Sequence, residues 1–212
     1  MLFYFIAIKR YLSENKNLLK YILLFLINFI SVIANAQLTD REIDNLKGGK
    51  VKPDNSYVYH LPFANGNKYF LVQAYNSKFS HANELSLDFK MKKGSKICAA
   101  REGIVTATKE DSDVGGLKDE FYNEGNHIII EHSDGSIAMY WHLQKEGVLV
   151  NVGDTVTKGQ LIGYSGNTGY TAFPHLHFQV QNKNGGDIAT RFITKKGKMY
   201  LRPGKYHKAV AD

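Results

Sequence analysis

The sequence from residue 68 onward consists largely of short strand-like runs separated by Gly, Asn and Asp turns. The runs alternate apolar with polar side chains or are rich in β-branched and aromatic residues, as is typical of strands. No convincing apolar stripe of the kind that marks an amphipathic helix is visible in this part of the sequence. The predicted strands are 68–74, 85–89, 96–100, 104–108, 127–132, 136–142, 160–165 and 175–181.

This succession of short strands predicts an all-β fold, either an antiparallel β-sandwich or a partly open, barrel-like core. Ser133-Asp134-Gly135 lies between two of the runs and predicts a tight hairpin, because Asp-Gly readily adopts the positive φ angles of such turns. The hairpin would place His132 and Ser136 at its tip. With 212 residues, the chain can form one domain with a substantial core.

The first 36 residues differ from the rest and have the layout of a secretory signal peptide. Four basic residues precede an apolar run over 21–34, and Ala34-Asn35-Ala36 offers a small-residue cleavage site. The apolar run is shorter than the ~20 residues of a membrane-spanning helix, which favours a cleaved signal over an uncleaved anchor. The predicted organisation is a signal peptide over 1–36, a polar leader over 37–55, one folded domain over 56–207 and a tail over 208–212.

This layout predicts that the chain is exported and is periplasmic or secreted. Membrane association is expected only if the N-terminal segment stays uncleaved. The net charge of +7 would fall to +4 on cleavage, a mild basic excess that suits work near anionic envelope polymers. Nucleic acid is not expected as a partner, because no dense basic run exists beyond Lys195-Lys196. The single Cys98 has no internal disulfide partner and is expected to be buried.

Two histidines in the last predicted strand point to a metal site. Side chains two positions apart in a strand project from one face, so His175 and His177 can share a metal ion. Asp88 lies between Leu87 and Phe89 and therefore faces away from both of these apolar neighbours. Zinc hydrolases take three nitrogen or oxygen ligands and leave a fourth position for water.

From about residue 59 to residue 207 the chain resembles the lysostaphin or LytM-type zinc endopeptidases, which hydrolyse peptidoglycan. The resemblance covers about 150 residues, and its motifs occur in the family's order. These motifs are Phe79-Ser80-His81, Leu87-Asp88-Phe89, Tyr140-Trp141-His142-Leu143 and Pro174-His175-Leu176-His177-Phe178.

The resemblance implies one Zn²⁺ per chain with His81, Asp88 and His177 as ligands, in a groove surrounded by long loops. It makes His142 and His175 the catalytic pair. Asp88 follows His81 by seven residues, whereas the family's commonest spacing is four, so Glu84 is an alternative ligand.

The implied activity is that of a zinc metalloendopeptidase that cleaves the peptide cross-links of peptidoglycan by metal-activated water. No His-Glu-x-x-His motif is present, so the general base is expected to be His142 or His175. The alternative is a non-catalytic regulator of the same fold that activates a separate cell-wall amidase. All five metal and catalytic positions are filled, which favours the enzyme. The remaining histidines are not expected to bind metal, and His132 is expected to make a structural hydrogen bond.

Overall fold

The computed structural model describes residues 58–77, 79–82 and 84–211. The predicted signal peptide over 1–36 and the leader over 37–55 lie outside these residues. Within the described residues, the chain forms sixteen strands and one 3₁₀ helix, Asp119–Glu124. The strands are β1 (Val58–Tyr59), β2 (Lys68–Gln73), β3 (Ser86–Lys90), β4 (Lys96–Cys98), β5 (Gly103–Lys109), β6 (Gly115–Gly116), β7 (His127–Glu131), β8 (Ile137–Trp141), β9 (Leu143–Val148), β10 (Thr155–Val156), β11 (Leu161–Ser165), β12 (Gly169–Tyr170), β13 (His175–Gln181), β14 (Arg191–Thr194), β15 (Gly197–Met199) and β16 (Lys205–Lys208).

The largest sheet has eight strands in the order β10-β5-β7-β8-β13-β3-β2-β16. Every neighbouring pair in it is antiparallel. A second antiparallel sheet has the order β4-β11-β9, and two small sheets, β1-β14-β15 and β12-β6, complete the described fold. The predicted all-β class with antiparallel sheets is confirmed, and the large sheet is open, not a closed barrel.

Alternation along the strands explains where the core lies. On β13, Leu176, Phe178 and Val180 are at most 1% exposed and form one face. The other face carries the residues between them, including His175 and His177. Burying each such apolar side chain contributes roughly 1.5–3 kcal/mol, so this pattern fixes which face of the strand turns inward.

The core lies between the large sheet and the β4-β11-β9 sheet. Tyr140 of β8 is fully buried, and its hydroxyl accepts a hydrogen bond of 2.9 Å from the backbone N–H of Ala100, just after β4. Phe63 joins the same two layers, because its ring packs edge-to-face on Phe89 of β3 and its backbone pairs with Ile97 of β4. These contacts hold the large sheet, which contains β13, against the β4-β11-β9 sheet.

Each of the eight predicted runs contains a strand of the structure, and the turn at 133–135 joins β7 to β8 as predicted. Gly135 has φ +78°, the left-handed conformation that this turn requires. At the C-terminus, β16 pairs with β2, and Ala209 is buried. Cys98 is buried, and none of the described helices is long and apolar enough to cross a membrane.

Candidate metal centre

Strand pairing brings the separate motifs to one place. Strand β13 lies between β3 and β8, and its His177 is directly opposite Asp88 on β3 and Trp141 on β8. His142 follows the last residue of β8, and His175 begins β13. His81 lies in the turn before β3, where its N–H donates to the carbonyl of Ser77. We call His81, Asp88, His142, His175 and His177 the metal cluster.

Asp88 is the centre of this cluster. Its carboxylate oxygens lie 3.2 Å from Nε2 of His81, 3.0 Å from Nδ1 of His177 and 3.5 Å from Nε2 of His175. The side chain is almost fully buried. Burial raises the pKa of Asp88, but hydrogen bonds with His177 and His81, together with the charge on His177, outweigh burial and hold the pKa well below its usual range. The carboxylate is therefore ionised at neutral pH and available to a cation.

His177 lies between two carboxylates. Its Nδ1 is 3.0 Å from Oδ1 of Asp88, and its Nε2 is 3.0 Å from Oε1 of Glu84. Burial lowers the pKa of His177, but the hydrogen bonds to Asp88 and Glu84 outweigh it and raise the pKa to about 10. Without a metal ion, this imidazole therefore holds a proton at each nitrogen, and a cation must displace one of them.

His142 and His175 are held in a different way. Nδ1 of His142 lies 2.7 Å from the carbonyl oxygen of Thr168, and Nδ1 of His175 lies 2.8 Å from that of Phe173. A carbonyl only accepts hydrogen bonds, so both Nδ1 atoms carry the proton and both Nε2 atoms keep a lone pair. The two rings are 4.6 Å apart between centroids. The Nε2 atom of each ring therefore offers a lone pair as a hydrogen-bond acceptor.

Burial keeps this pair neutral. It lowers the pKa of His175, and together with the neighbouring His175 and His177 it lowers the pKa of His142 to about 3. His142 also has φ +64°, a left-handed conformation that costs a residue with a side chain roughly 1–2 kcal/mol. Such strain concentrates at functional sites, where the surrounding structure fixes an unusual side-chain direction.

The donor atoms suit a small divalent cation. Zinc–ligand distances of about 2.0–2.1 Å place the ligand atoms of a tetrahedral site about 3.3 Å apart, close to the 3.0–3.2 Å that separates Asp88 from His81 and His177. Two groups of three residues have donor atoms that all lie within 4.8 Å of one another: His81 with Glu84 and His177, and His142 with His175 and His177. The described residues thus offer a cation more than one donor set, and all of the sets include His177.

A groove of about 430 Å³ opens over the cluster. Large exposed side chains line it, among them Phe79, which is 80% exposed, and Tyr122, which is 74% exposed. Tyr122 belongs to the 3₁₀ helix Asp119–Glu124, which lies between β6 and β7. Pairing of β6 with β12 holds this segment beside the groove. Exposed aromatic side chains over a polar floor are typical of ligand-binding surfaces.

The family model for Peptidase family M23 matches residues 82–189. This range is half of the chain and includes Asp88, His142, His175 and His177, while His81 lies one residue before it. The chain belongs to peptidase family M23. The lysostaphin or LytM-type resemblance read from the motifs is therefore confirmed.

Two relatives of this M23 chain have named activities. The peptidoglycan DD-endopeptidase ShyA of Vibrio cholerae is 34% identical over 93 residues, which are 44% of this chain and 19% of that protein. The glycyl-glycine endopeptidase ALE-1 of Staphylococcus capitis is 36% identical over 97 residues, which are 46% of this chain and 24% of that protein. The M23 chain thus spans about a fifth to a quarter of the length of these relatives.

A solved structure shares the fold. The M23 metalloprotease pseudoalterin from the deep sea aligns with 73% of this chain and 96% of its own, with a TM-score of 0.50 and 20% sequence identity. At that identity the likeness shows the fold alone, and it agrees with the antiparallel β architecture described above.

All five residues that the M23 motifs single out lie in one cluster, together with Glu84. Sequence reasoning missed Gln73, whose side-chain amide donates to Asp88 and to Ser80 and lies 3.1 Å from Nε2 of His81. Its only sequence signal is a position near the end of β2, a strand that pairs with β3. His132 makes the expected structural bond, since its Nδ1 lies 2.7 Å from the carbonyl of Glu102.

Proposed function

We propose that the chain is an exported zinc metalloendopeptidase, periplasmic or secreted, that hydrolyses the peptide cross-links of peptidoglycan. The observation that carries the proposal is the buried Asp88 carboxylate, which contacts both His81 and His177, beside a second pair of imidazoles whose Nδ1–H groups are held by backbone carbonyls. The named activities of ShyA and ALE-1 supply the substrate class. The predicted domain organisation, including cleavage after residue 36, is part of the same proposal.

His81, Asp88 and His177 would hold the zinc ion. We prefer Asp88 to Glu84 as the carboxylate ligand because Asp88 is buried on a strand and contacts both histidines, whereas the Glu84 side chain is 31% exposed. Zinc bound by three protein ligands lowers the pKa of a water molecule towards ~7 and polarises a carbonyl group.

His142 and His175 would move the protons of the reaction. Each presents an unprotonated Nε2 to the groove and holds Nδ1–H on a backbone carbonyl, so each can take a proton from water at Nε2. The imidazolium formed can then donate that proton to the departing amine. Proton transfer by a positioned histidine contributes on the order of 10² to 10⁴ in rate.

Digestion of intact peptidoglycan sacculi tests the proposal. The zinc-loaded protein should release soluble peptide-linked fragments, detected by mass spectrometry, and a His175→Ala variant should release far fewer while it still binds zinc. Equal and negligible release by both proteins would contradict the proposal and favour a non-catalytic regulator that activates a cell-wall amidase.

A further inference from the structure

His177 is the residue that both carboxylates contact, but they contact it on different edges of the ring. Oδ1 of Asp88 is 3.0 Å from Nδ1, and Oε1 of Glu84 is 3.0 Å from Nε2. The two nitrogens of an imidazole point in different directions, and a metal ion takes one of them while the other keeps its proton. Asp88 and Glu84 therefore cannot both be ligands of an ion that His177 binds through one nitrogen at these positions.

The contacts of Asp88 decide which nitrogen faces the ion. The same carboxylate lies 3.2 Å from Nε2 of His81 and 3.0 Å from Nδ1 of His177, so an ion between these three residues meets His177 at Nδ1. The Nε2 atom then carries the proton and points at Glu84. This is the arrangement in which a metal-bound histidine donates its second N–H to a carboxylate outside the coordination sphere.

We propose that Glu84 is a positioning residue, which accepts a hydrogen bond from Nε2–H of His177 and thereby fixes the tautomer that presents Nδ1 to the metal. The proposal rests on the zinc site of the proposed function and assigns the two carboxylates different roles in it. A carboxylate in this position also makes the imidazole a better electron donor, which strengthens the bond from Nδ1 to the metal.

The backbone holds Glu84 ready for this role. Its N–H donates to the carbonyl of His81 at 3.0 Å, and its carbonyl accepts from the N–H of Asn76 at 2.9 Å. The following residue, Leu85, donates its N–H to Asp187. Glu84 is thus fixed from both sides in the turn that leads into β3. The seven-residue interval between His81 and Asp88 provides the length for this turn.

The competing arrangement makes Glu84 a ligand, with His81 and Nε2 of His177, since donor atoms of these three residues lie within 4.8 Å of one another. That arrangement would leave the buried carboxylate of Asp88 bonded to His177 at Nδ1, outside the coordination sphere. The two arrangements exchange the roles of the two carboxylates, so the same pair of substitutions distinguishes them.

Zinc affinity measured by competition with a chelator provides the test. Glu84→Ala should weaken zinc binding by about 10- to 100-fold, the range typical of a lost outer hydrogen bond to a ligand. Glu84→Gln should lose less, because the amide oxygen still accepts from Nε2–H. Asp88→Ala should show no measurable zinc binding. Glu131→Gln, an exposed change on β7, is the control and should bind as the unsubstituted protein does.

The absorption spectrum of the cobalt-substituted protein gives a second, independent readout. If Glu84 is not a ligand, the visible bands of Glu84→Ala should keep the positions and intensity of the unsubstituted protein. A changed spectrum with affinity lost as completely as in Asp88→Ala would make Glu84 a ligand and overturn the proposal. Unchanged zinc affinity in Glu84→Ala would also overturn it. Failure of the unsubstituted protein to bind zinc would instead overturn the proposed function itself.

Discussion

Two polar clusters, each with several buried members, lie at opposite ends of strand β8, and they differ in how their charges are balanced. The metal cluster follows the end of β8 and gathers four imidazoles around the carboxylate of Asp88. At the start of the strand lies the hairpin cluster, which we define as Tyr59, Arg101, His132, Asp134 and Ser136.

The hairpin cluster is complete within the protein. Nη1 of Arg101 donates to both oxygens of Asp134 at 3.1 and 3.2 Å, and the Tyr59 ring stands beside the guanidinium. Asp134 also accepts from the hydroxyl of Ser136. Each charge thus has an opposite charge in place. In the metal cluster, the protonated His177 lies between the carboxylates of Asp88 and Glu84, and the neutral His142 and His175 present nitrogen lone pairs. The comparison teaches that burial alone does not mark a functional site, whereas a group of donor atoms spaced to bind a cation does.

The largest expected difference between the clusters is in zinc binding. Asp88→Ala should abolish stoichiometric zinc binding, because it removes the carboxylate that His81 and His177 share. Asp134→Ala removes a carboxylate at the other end of β8 and should leave zinc binding unchanged. Metal analysis after dialysis against zinc checks both variants. Equal zinc content in the two variants would contradict the expected difference between the clusters.

Within the metal cluster, the rate of catalysis should distinguish the catalytic pair from the metal ligands. His142→Ala and His175→Ala should each retain zinc but reduce the rate of sacculus hydrolysis by about 10² to 10⁴, the contribution of a positioned proton-transfer group. The measurement is initial rate at saturating zinc, with bound zinc quantified in the same samples. Loss of zinc from either variant would move that histidine from the catalytic pair to the ligands, as a His142, His175 and His177 site would require.

For folding stability, in contrast to zinc binding, the hairpin cluster should matter more than the metal cluster. Asp134→Ala should lower the free energy of unfolding by about 1–3 kcal/mol, because it removes two charge-assisted hydrogen bonds from Arg101, whose side chain is only 4% exposed. Asp113→Ala breaks an exposed ion pair with Lys145 and should cost less than about 1 kcal/mol. Urea unfolding of the metal-free proteins measures both. A cost for Asp134→Ala no larger than that for Asp113→Ala would show that the hairpin cluster contributes little stability.

The smallest expected effect is a pH dependence of the hairpin cluster. Burial lowers the pKa of His132 below the ordinary value of 6.5, so the unfolded chain binds a proton there more readily than the folded chain does. Stability is therefore lost as the pH falls below about 6.5. His132→Asn lacks this titration and should lose less stability between pH 7 and pH 5 in parallel urea unfolding. An identical loss in both proteins would contradict this assignment.

Local patterns in the sequence predict the fold better than they predict the site. Alternation of apolar and polar residues predicts β13 and β7, because one face of each strand is apolar. The Asp-Gly pair predicts the hairpin. The edge strand β16 escapes prediction, since its four residues are polar and mostly exposed. The 3₁₀ helix within 111–125 buries no residue and likewise leaves no apolar pattern.

The candidate site combines local and long-range information. The spacing of His175 and His177 predicts a shared face, but only the pairing of β13 with β3 sets His177 opposite Asp88. Neither spacing nor motif indicates that Gln73 donates to Asp88 or that Glu84 reaches the far nitrogen of His177. These contacts join residues through tertiary packing and leave no periodic signal in the sequence.

The most direct test of the account is an anomalous difference map, recorded at the zinc absorption edge, from crystals of the zinc-loaded protein. The account predicts one peak per chain, bound by Nε2 of His81, the carboxylate of Asp88 and Nδ1 of His177, with Glu84 outside the coordination sphere. A peak among His142, His175 and His177, or no peak at all, would contradict it.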